Sequence, residues 1–246
     1  MIRLFALLLV GAALLPVSCA DTGGSLVPIE ITTRGTDATE PFGTTTGWTV
    51  TLDEAWVAVA AFRAYADESL AQLLVPSRAY AHGGTDPLNG RRVRAEWFSS
   101  VVLDALDPAV RVLGLVDGET GAVDEVGVSL EQPSGGDTRG RVAWVRGQAE
   151  RDGETVAFEG GLELEDEPLV RRVENITLEG ELAANDRLLL TADPRVWLAD
   201  AAFDRLPEND DGEPRTITSD SQVHGALRLG LRSTRAWRAT IERNEE

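Results

Sequence analysis

Apolar and polar residues alternate along several short segments of this 246-residue chain. Alternation with a period of two places one side of a segment in a core and the other in water, which is typical of half-buried β-strands. Turn residues separate the segments at intervals of roughly ten residues, as in sandwiches and barrels. The segments are 48–52, 92–103, 123–130, 141–151, 154–164, 173–182, 187–191 and 237–242. The pattern predicts a mainly β protein with antiparallel strands.

The clearest single element is a hairpin around Asp152-Gly153. Asp-Gly suits a two-residue turn, because both residues accept the positive φ angles that tight hairpins need. On the second strand Val156, Phe158 and Leu162 are placed to face one way. We predict one antiparallel β-sandwich-like domain over residues 47–246, since no internal repeat or later boundary interrupts this pattern.

Two short helices are predicted in the C-terminal third of the chain. Asp193-Pro194 supplies an N-cap and a proline at the first helical position, ahead of apolar residues over 197–206. Ser219-x-x-Gln222 has the spacing of a capping box and precedes apolar residues at helical spacing over 223–231.

The N-terminus carries a targeting signal. Residues 4–15 form an apolar segment of about a dozen residues, too short to span a bilayer but long enough for a signal-peptide core. It ends in Leu15-Pro16-Val17-Ser18-Cys19, which resembles a bacterial lipobox, although Pro16 stands where an aliphatic residue is usual. Residues 1–18 are therefore predicted to be a signal peptide and Cys19 the lipid-attachment site. Two alternatives are cleavage after Ala20, which would discard Cys19, and a buried free thiol.

The segment after Cys19 is rich in Thr, Gly, Asp and Pro. A stretch such as Thr32–Asp37 offers little apolar surface to offset its ordering entropy. Residues 19–46 are therefore predicted to be a flexible tether, in which residues 27–31 are the one candidate strand. A second long connection is expected over residues 66–90, and loops of this length are often functional or disordered.

Composition limits the partners of the chain. Its net charge is −18, from 41 acidic and 23 basic residues, and every basic residue is arginine. The lack of lysine excludes Schiff-base and P-loop chemistry, and the strong acidity argues against a nucleic-acid partner. Acidity also disfavours adhesion to an anionic membrane, so attachment is expected through lipid. Ala20, rather than aspartate, follows Cys19 and resembles the sorting signal for the outer membrane.

Two histidines, His82 and His224, are the only ones available for catalysis or metal binding. The chain contains no Gly-x-Ser-x-Gly, His-Glu-x-x-His or Cys-x-x-Cys motif. Two interpretations stay open. The histidines are unrelated surface or half-buried residues, or they form a joint site for copper or zinc, which imidazole binds.

Acidic residues are abundant, and one cluster comprises Glu163, Glu165, Asp166 and Glu167. A glycosidase needs two carboxylates at a defined separation in a cleft, so a hydrolase is a further alternative. A solvated strand face produces the same pattern. Most of the tryptophans are assigned to the core because they lie on apolar stripes.

Four short motifs carry a resemblance to a protein family: 47–55, 79–84, 193–198 and 222–227. Through them, residues 47–242 resemble an uncharacterised family of predicted myxobacterial-type lipoproteins. The resemblance implies a secreted β-rich lipoprotein, distantly similar to periplasmic copper-binding proteins associated with methanobactin operons. It carries His82 and His224 across as matching positions. Thr85 or Asp86 stands where the family has a second histidine, and Gly225 replaces an asparagine.

We therefore expect an extracytoplasmic lipoprotein that acts as a non-enzymatic binding or envelope-associated module, without a catalytic residue or resident cofactor. It would be anchored in the outer membrane by a lipid on Cys19, or secreted if cleavage follows Ala20. The alternatives are a periplasmic copper- or zinc-binding protein that uses His82 and His224, and a hydrolase that uses paired carboxylates.

Overall fold

The computed structural model of the chain describes residues 25–66, 84–164, 170–209 and 212–243. These residues form twelve strands, two α-helices and two short 3₁₀ turns, at Phe203–Arg205 and Thr234–Ala236. The strands are β1 (Leu26–Arg34), β2 (Phe42–Gly43), β3 (Thr49–Ala66), β4 (Val93–Asp104), β5 (Arg111–Glu119), β6 (Gly121–Leu130), β7 (Ala143–Arg151), β8 (Glu154–Leu162), β9 (Arg172–Leu182), β10 (Arg187–Ala192), β11 (Arg215–Thr216) and β12 (Trp237–Glu242). The helices are α1 (Pro194–Trp197) and α2 (Gln222–Leu231).

The strands form two sheets. The smaller sheet has the order β12-β10-β1-β5, and the larger has the order β11-β8-β7-β3-β6-β9, with β2 and β4 also paired to β3. The prediction of a mainly β, sandwich-like single domain with two short C-terminal helices is confirmed. The pairing is not antiparallel throughout, because β1 runs parallel to β10 and β11 runs parallel to β8.

Strand β3 organises the larger sheet. Its first half pairs with β7 and its second half with β6, while β4 follows the other edge. Trp56 shows the two edges directly, since it pairs with Asp104 of β4 and with Trp144 of β7. The 18 residues of β3 thus hold three long strands in register.

The predicted hairpin is confirmed. Strands β7 and β8 pair residue for residue from Ala143–Leu162 to Arg151–Glu154. Asp152 and Gly153 have φ angles of 53° and 85°, which are the two successive positive values of a tight hairpin turn. The turn chemistry and the alternation on both sides therefore specify this pair of strands locally.

The core lies between the sheets and under the helices. Its largest fully buried side chains include Trp48, Trp197, Phe158 and Phe203, and the ring of Phe203 contacts both Trp48 and Phe158. Trp97, Trp144 and Trp237 are also buried, whereas Trp56 is only half-buried. The assignment of most tryptophans to the core is thereby confirmed.

Strand β1 lies inside the segment 19–46, which was expected to be a flexible tether. It is an inner strand of the smaller sheet, between β10 and β5. Thr32 and Thr33 are buried in this strand, and the hydroxyl of Thr32 donates to the carbonyl of Leu188 at 3.2 Å. A segment with few large apolar residues is thus ordered because neighbouring strands satisfy its backbone, and residues 26–43 are part of the fold.

Both helices begin near their predicted starts. Asp193 caps α1 as expected by accepting from the main-chain N–H of Arg195, but α1 lasts a single turn. The cap of α2 is Ser221, whose hydroxyl accepts from the main-chain N–H of His224, so the capping box expected at Ser219 is wrong by two residues. No helix among the described residues is long and apolar enough to cross a membrane.

Candidate functional site

A cavity of about 600 Å³ opens at the end of the smaller sheet. Its lining includes the last residues of β1, the start of α1, the 3₁₀ turn before β12, and part of β9. Four arginines and two aspartates are among the lining residues: Arg34, Arg195, Arg235, Arg238, Asp37 and Asp193. We call this cavity the arginine pocket. Its excess of arginine stands out in a chain with a net charge of −18.

One wall of the arginine pocket is a row of three residues across adjacent strands. Arg34 of β1 pairs in register with Thr191 of β10, and Thr191 pairs with Arg238 of β12. Residues paired in this way point to the same face of a sheet, and adjacent strands lie about 4.8 Å apart. The two arginines therefore leave the sheet roughly 10 Å apart, on either side of one threonine. The Nε of Arg34 donates to the Thr191 hydroxyl at 3.3 Å, which holds this guanidinium over the row.

A second wall is built around Asp193. Its carboxylate accepts from the Nε and Nη2 of Arg195, at 2.8 and 2.7 Å, and from the hydroxyl of Thr36 at 3.4 Å. This two-pronged hydrogen bonding raises the pKa of Arg195. The charge of Arg195 is therefore balanced within the wall itself.

The remaining arginines of the pocket lack such a partner. No acidic side chain of the described residues forms an ion pair with Arg34, Arg235 or Arg238. Arg235 and Arg238 are exposed and Arg34 is half-buried, so all three can reach a bound molecule. The other aspartate, Asp37, already accepts from the hydroxyl of Thr39 at 2.8 Å. The pocket consequently offers several cationic donors and few competing carboxylates.

Neutral hydrogen-bonding groups complete the lining. The side chains of Asn175, Thr177 and Thr234 border the cavity. Asn175 has a φ of 61°, and its main-chain N–H donates to the Oε1 of Glu125 at 2.7 Å, which fixes this part of β9. The indole of Trp237 donates to the carbonyl of Leu231 at 2.9 Å, so its N–H is not available to a ligand.

His224 lies elsewhere, in the first turn of α2, and borders a separate cavity of about 640 Å³. Burial lowers the pKa of His224, and the nearby guanidinium groups of Arg228 and Arg141 lower it further. Its imidazole is therefore neutral at pH 7, which is the form that binds metals. The other predicted ligand, His82, lies outside the described residues, as does Cys19.

Within the described part of the chain, no group of three or more His, Cys, Asp or Glu side chains is arranged to hold a metal ion. A copper or zinc site at His224 would need donors from outside that part, and it stays a prediction. Of the clustered acids, Glu163 is exposed and forms an ion pair with Arg141. Glu165, Asp166 and Glu167 lie outside the described residues, so the paired-acid hydrolase also stays a prediction.

A buried polar network, not anticipated from the sequence, joins Tyr65, Asp86 and Arg172. Asp86 accepts from both terminal nitrogens of Arg172, from the Tyr65 hydroxyl at 2.6 Å and from the main-chain N–H of Leu88 at 3.0 Å. Although burial alone would raise the pKa of Asp86, these hydrogen bonds hold it well below its usual range. Tyr65 and Asp86 stand on either side of residues 67–83, so the network fixes the two ends of the connection that carries His82.

The arginine pocket was likewise missed by the sequence interpretation. Arg34 lies in the segment that was expected to be a tether, and Arg238 lies in the last alternating segment, 237–242. The exclusive use of arginine was the single signal, and it is spread over the whole chain. The row joins Arg34 to Thr191, more than 150 residues further along the chain, and Thr191 to Arg238, so no local sequence pattern indicates it.

Comparison with known proteins identifies one distant structural neighbour. No protein-family model matches the chain. No curated protein matches it either. The solved structure of MbnP from Methylosinus trichosporium is similar over 82% of this chain and 86% of that chain, with 10% sequence identity and a TM-score of 0.38. This distant likeness carries no argument about the site, and the resemblance to myxobacterial-type lipoproteins stays a prediction.

Proposed function

We propose that this protein is an extracytoplasmic lipoprotein, anchored in the outer membrane through Cys19, that binds an anionic ligand in the arginine pocket without transforming it. The signal-peptide pattern and the lone cysteine support the location. The pocket supports the binding role. The observation that carries it is the group formed by Arg34, Arg235 and Arg238, none of which has an acidic partner among the described residues.

Three cations in one pocket repel one another. Two unit charges about 10 Å apart repel by about 0.4–1.7 kcal/mol for effective dielectric constants between those of water and a protein surface. A bound anion converts this repulsion into attraction. The negative charge of the rest of the molecule weakens that attraction little, because salt screens charges beyond a Debye length of about 8 Å.

The lining favours binding over turnover. Both carboxylates of the pocket, Asp37 and Asp193, already accept hydrogen bonds from neighbouring side chains. The threonine and asparagine side chains add neutral hydrogen bonds that orient a ligand. Guanidinium groups are suited to this task, because their planar fork binds carboxylate and phosphate oxygens in pairs and stays charged at all physiological pH values.

Calorimetric titration of the full chain in detergent tests the proposal, with inorganic phosphate, glucuronate and neutral glucose as probes. We expect the anions to bind and glucose not to bind. Arg34→Gln and Arg238→Gln should each weaken anion binding about tenfold or more, since hydrogen bonds to charged groups contribute about 1.5–3 kcal/mol. Arg205→Gln removes the same charge from an exposed site outside the pocket and is the matched control. Equal losses in all three variants, or no anion binding, would contradict the proposal.

A copper- or zinc-binding role is the second candidate. The supporting observation is the neutral imidazole of His224 beside a cavity. The role requires His82 as a further ligand. Titration with Cu²⁺ or Zn²⁺ should show binding that His82→Ala and His224→Ala each abolish, and binding by either variant equal to that of the wild type would refute it.

A further inference from the structure

We infer that the ligand of the arginine pocket presents a phosphoryl group with two negative charges, held between Arg34, Arg235 and Arg238. The inference rests on the proposed anion-binding function and specifies its ligand. It follows from the charge balance of the pocket and from the placement of three arginines in its lining, two of them on either side of Thr191.

The lining of the arginine pocket carries an excess of positive charge. Asp193 is engaged by Arg195 in a two-pronged ion pair, so these two side chains cancel. Asp37 is the only other acidic residue of the lining, against the three arginines Arg34, Arg235 and Arg238, which leaves two positive charges in excess in the pocket. A monoanion would leave one of them without compensation, whereas a dianion neutralises the lining.

The geometry selects the shape of the anion. Arg34 and Arg238 flank Thr191 in the row that forms one wall, and Arg235 lines the pocket from the 3₁₀ turn that precedes β12. Three donor forks of this kind match the three acceptor oxygens of a phosphoryl group, which also carries close to two charges at neutral pH. A carboxylate has two oxygens and a single charge.

The neutral groups of the pocket fit the remainder of such a ligand. Four neutral polar residues line the same cavity: Thr36, Asn175, Thr177 and Thr234. These groups would hydrogen-bond to the hydroxyls of a polyol or sugar that carries the phosphate. The cavity of about 600 Å³ is large enough for a sugar phosphate.

The test compares two esters of nearly equal shape and different charge. Glycerol phosphate carries close to two charges at pH 7.5, and glycerol sulfate carries one. We expect the full chain to bind the phosphate ester about tenfold or more tightly, in line with the gain from one additional charged hydrogen-bonding contact. The preference should disappear near pH 5, because the second pKa of a phosphate ester is about 6 and the two ligands then carry equal charge.

Two further arms sharpen this comparison. Arg235→Gln should reduce the preference for phosphate over sulfate by about tenfold, whereas Arg205→Gln should leave it unchanged. Short-chain phosphatidic acid in the same detergent identifies the source of the phosphoryl group. Tighter binding than glycerol phosphate indicates a lipid headgroup, and equal or weaker binding indicates a soluble ester.

The outcomes distinguish failure of the phosphoryl inference from failure of the proposed anion binding. Equal affinity for phosphate and sulfate esters at pH 7.5 overturns the inference and leaves anion binding standing. Binding of neither ester, nor of inorganic phosphate or glucuronate, overturns the proposed function itself. If Arg235→Gln fails to fold, as judged by circular dichroism, Arg238→Gln gives the same readout from another element of the pocket.

Discussion

Replacement of Asp86 by asparagine should lower the free energy of unfolding by about 3 kcal/mol. The side chains of Asp86 and Arg172 are only 1% and 4% exposed. Removal of one member of a buried ion pair costs about 3–5 kcal/mol, because the other charge is left without compensation. The low end of this range applies here for two reasons. Glu174 remains 2.7 Å from Arg172, and asparagine keeps one acceptor oxygen for the Tyr65 hydroxyl.

Urea unfolding followed by tryptophan fluorescence measures this loss. The slope for a domain of this size is about 2–3 kcal/mol per molar urea, so the midpoint should fall by about 1–1.5 M at pH 7. The matched control is Asp152→Asn, which removes an equal charge from a 96% exposed side chain in a turn that accepts asparagine. It should change the free energy of unfolding by less than about 0.5 kcal/mol.

The pH dependence provides a second test of the same reasoning. The pKa of Asp86 is lower in the folded than in the unfolded protein, so its ionised form contributes stability above the unfolded pKa of about 4. That contribution is lost as the pH falls from there through the folded pKa. The difference between wild type and Asp86→Asn should therefore be constant from pH 5 to pH 8 and shrink below about pH 4. A midpoint shift under about 0.3 M at pH 7, or a difference undiminished at pH 3, would refute the assigned role of the ion pair.

Other predictions concern the anchor, α2 and His224. Cys19→Ser should move the protein from the membrane to the soluble fraction on cell fractionation, and unchanged membrane attachment would contradict lipidation. Gly230→Ala should destabilise the protein by about 1–3 kcal/mol, since its Cβ would lie 2.5 Å from the carbonyls of α1. Gly225→Ala, in open space on the same helix, should stabilise it by about 0.5–1 kcal/mol, and equal urea midpoints for the two variants would refute this packing. In an NMR titration of His82→Gln, His224 should titrate below pH 6.5, and a midpoint above that value would contradict its burial beside arginines.

Long alternating segments were predictable because apolar residues mark the buried face of a strand and polar residues mark its exposed face. Strand β5 was not predicted, since it lies at a sheet edge with Val112 and Leu115 exposed, and its alternation marks no core face. Residues 27–31 were predicted as a candidate strand, but the rest of β1 was assigned to the tether because its threonines are polar. They are buried by pairing with β10, a strand more than 150 residues away in sequence.

The candidate site was less predictable from the sequence than the fold was. The sequence shows which residue types are present, and it pointed to two histidines because histidine is rare in this chain. The arginine pocket instead relies on arginine, the residue type that supplies every basic side chain of this chain. The positive charge of the pocket depends on which arginines line the same cavity and on which of them lack an acidic partner among the described residues. Both are properties of the folded molecule.

By itself the sequence determined the fold class, the hairpin at Asp152-Gly153 and the approximate starts of both helices, because each depends on residues close together along the chain. Only the tertiary structure decided the parallel pairing of β1 with β10, the Tyr65–Asp86–Arg172 network and the row of Arg34, Thr191 and Arg238. The physical reason is the same for all three. Hydrogen bonds and charges act over a few ångströms in space, and the residues that they join are tens to hundreds of positions apart in sequence.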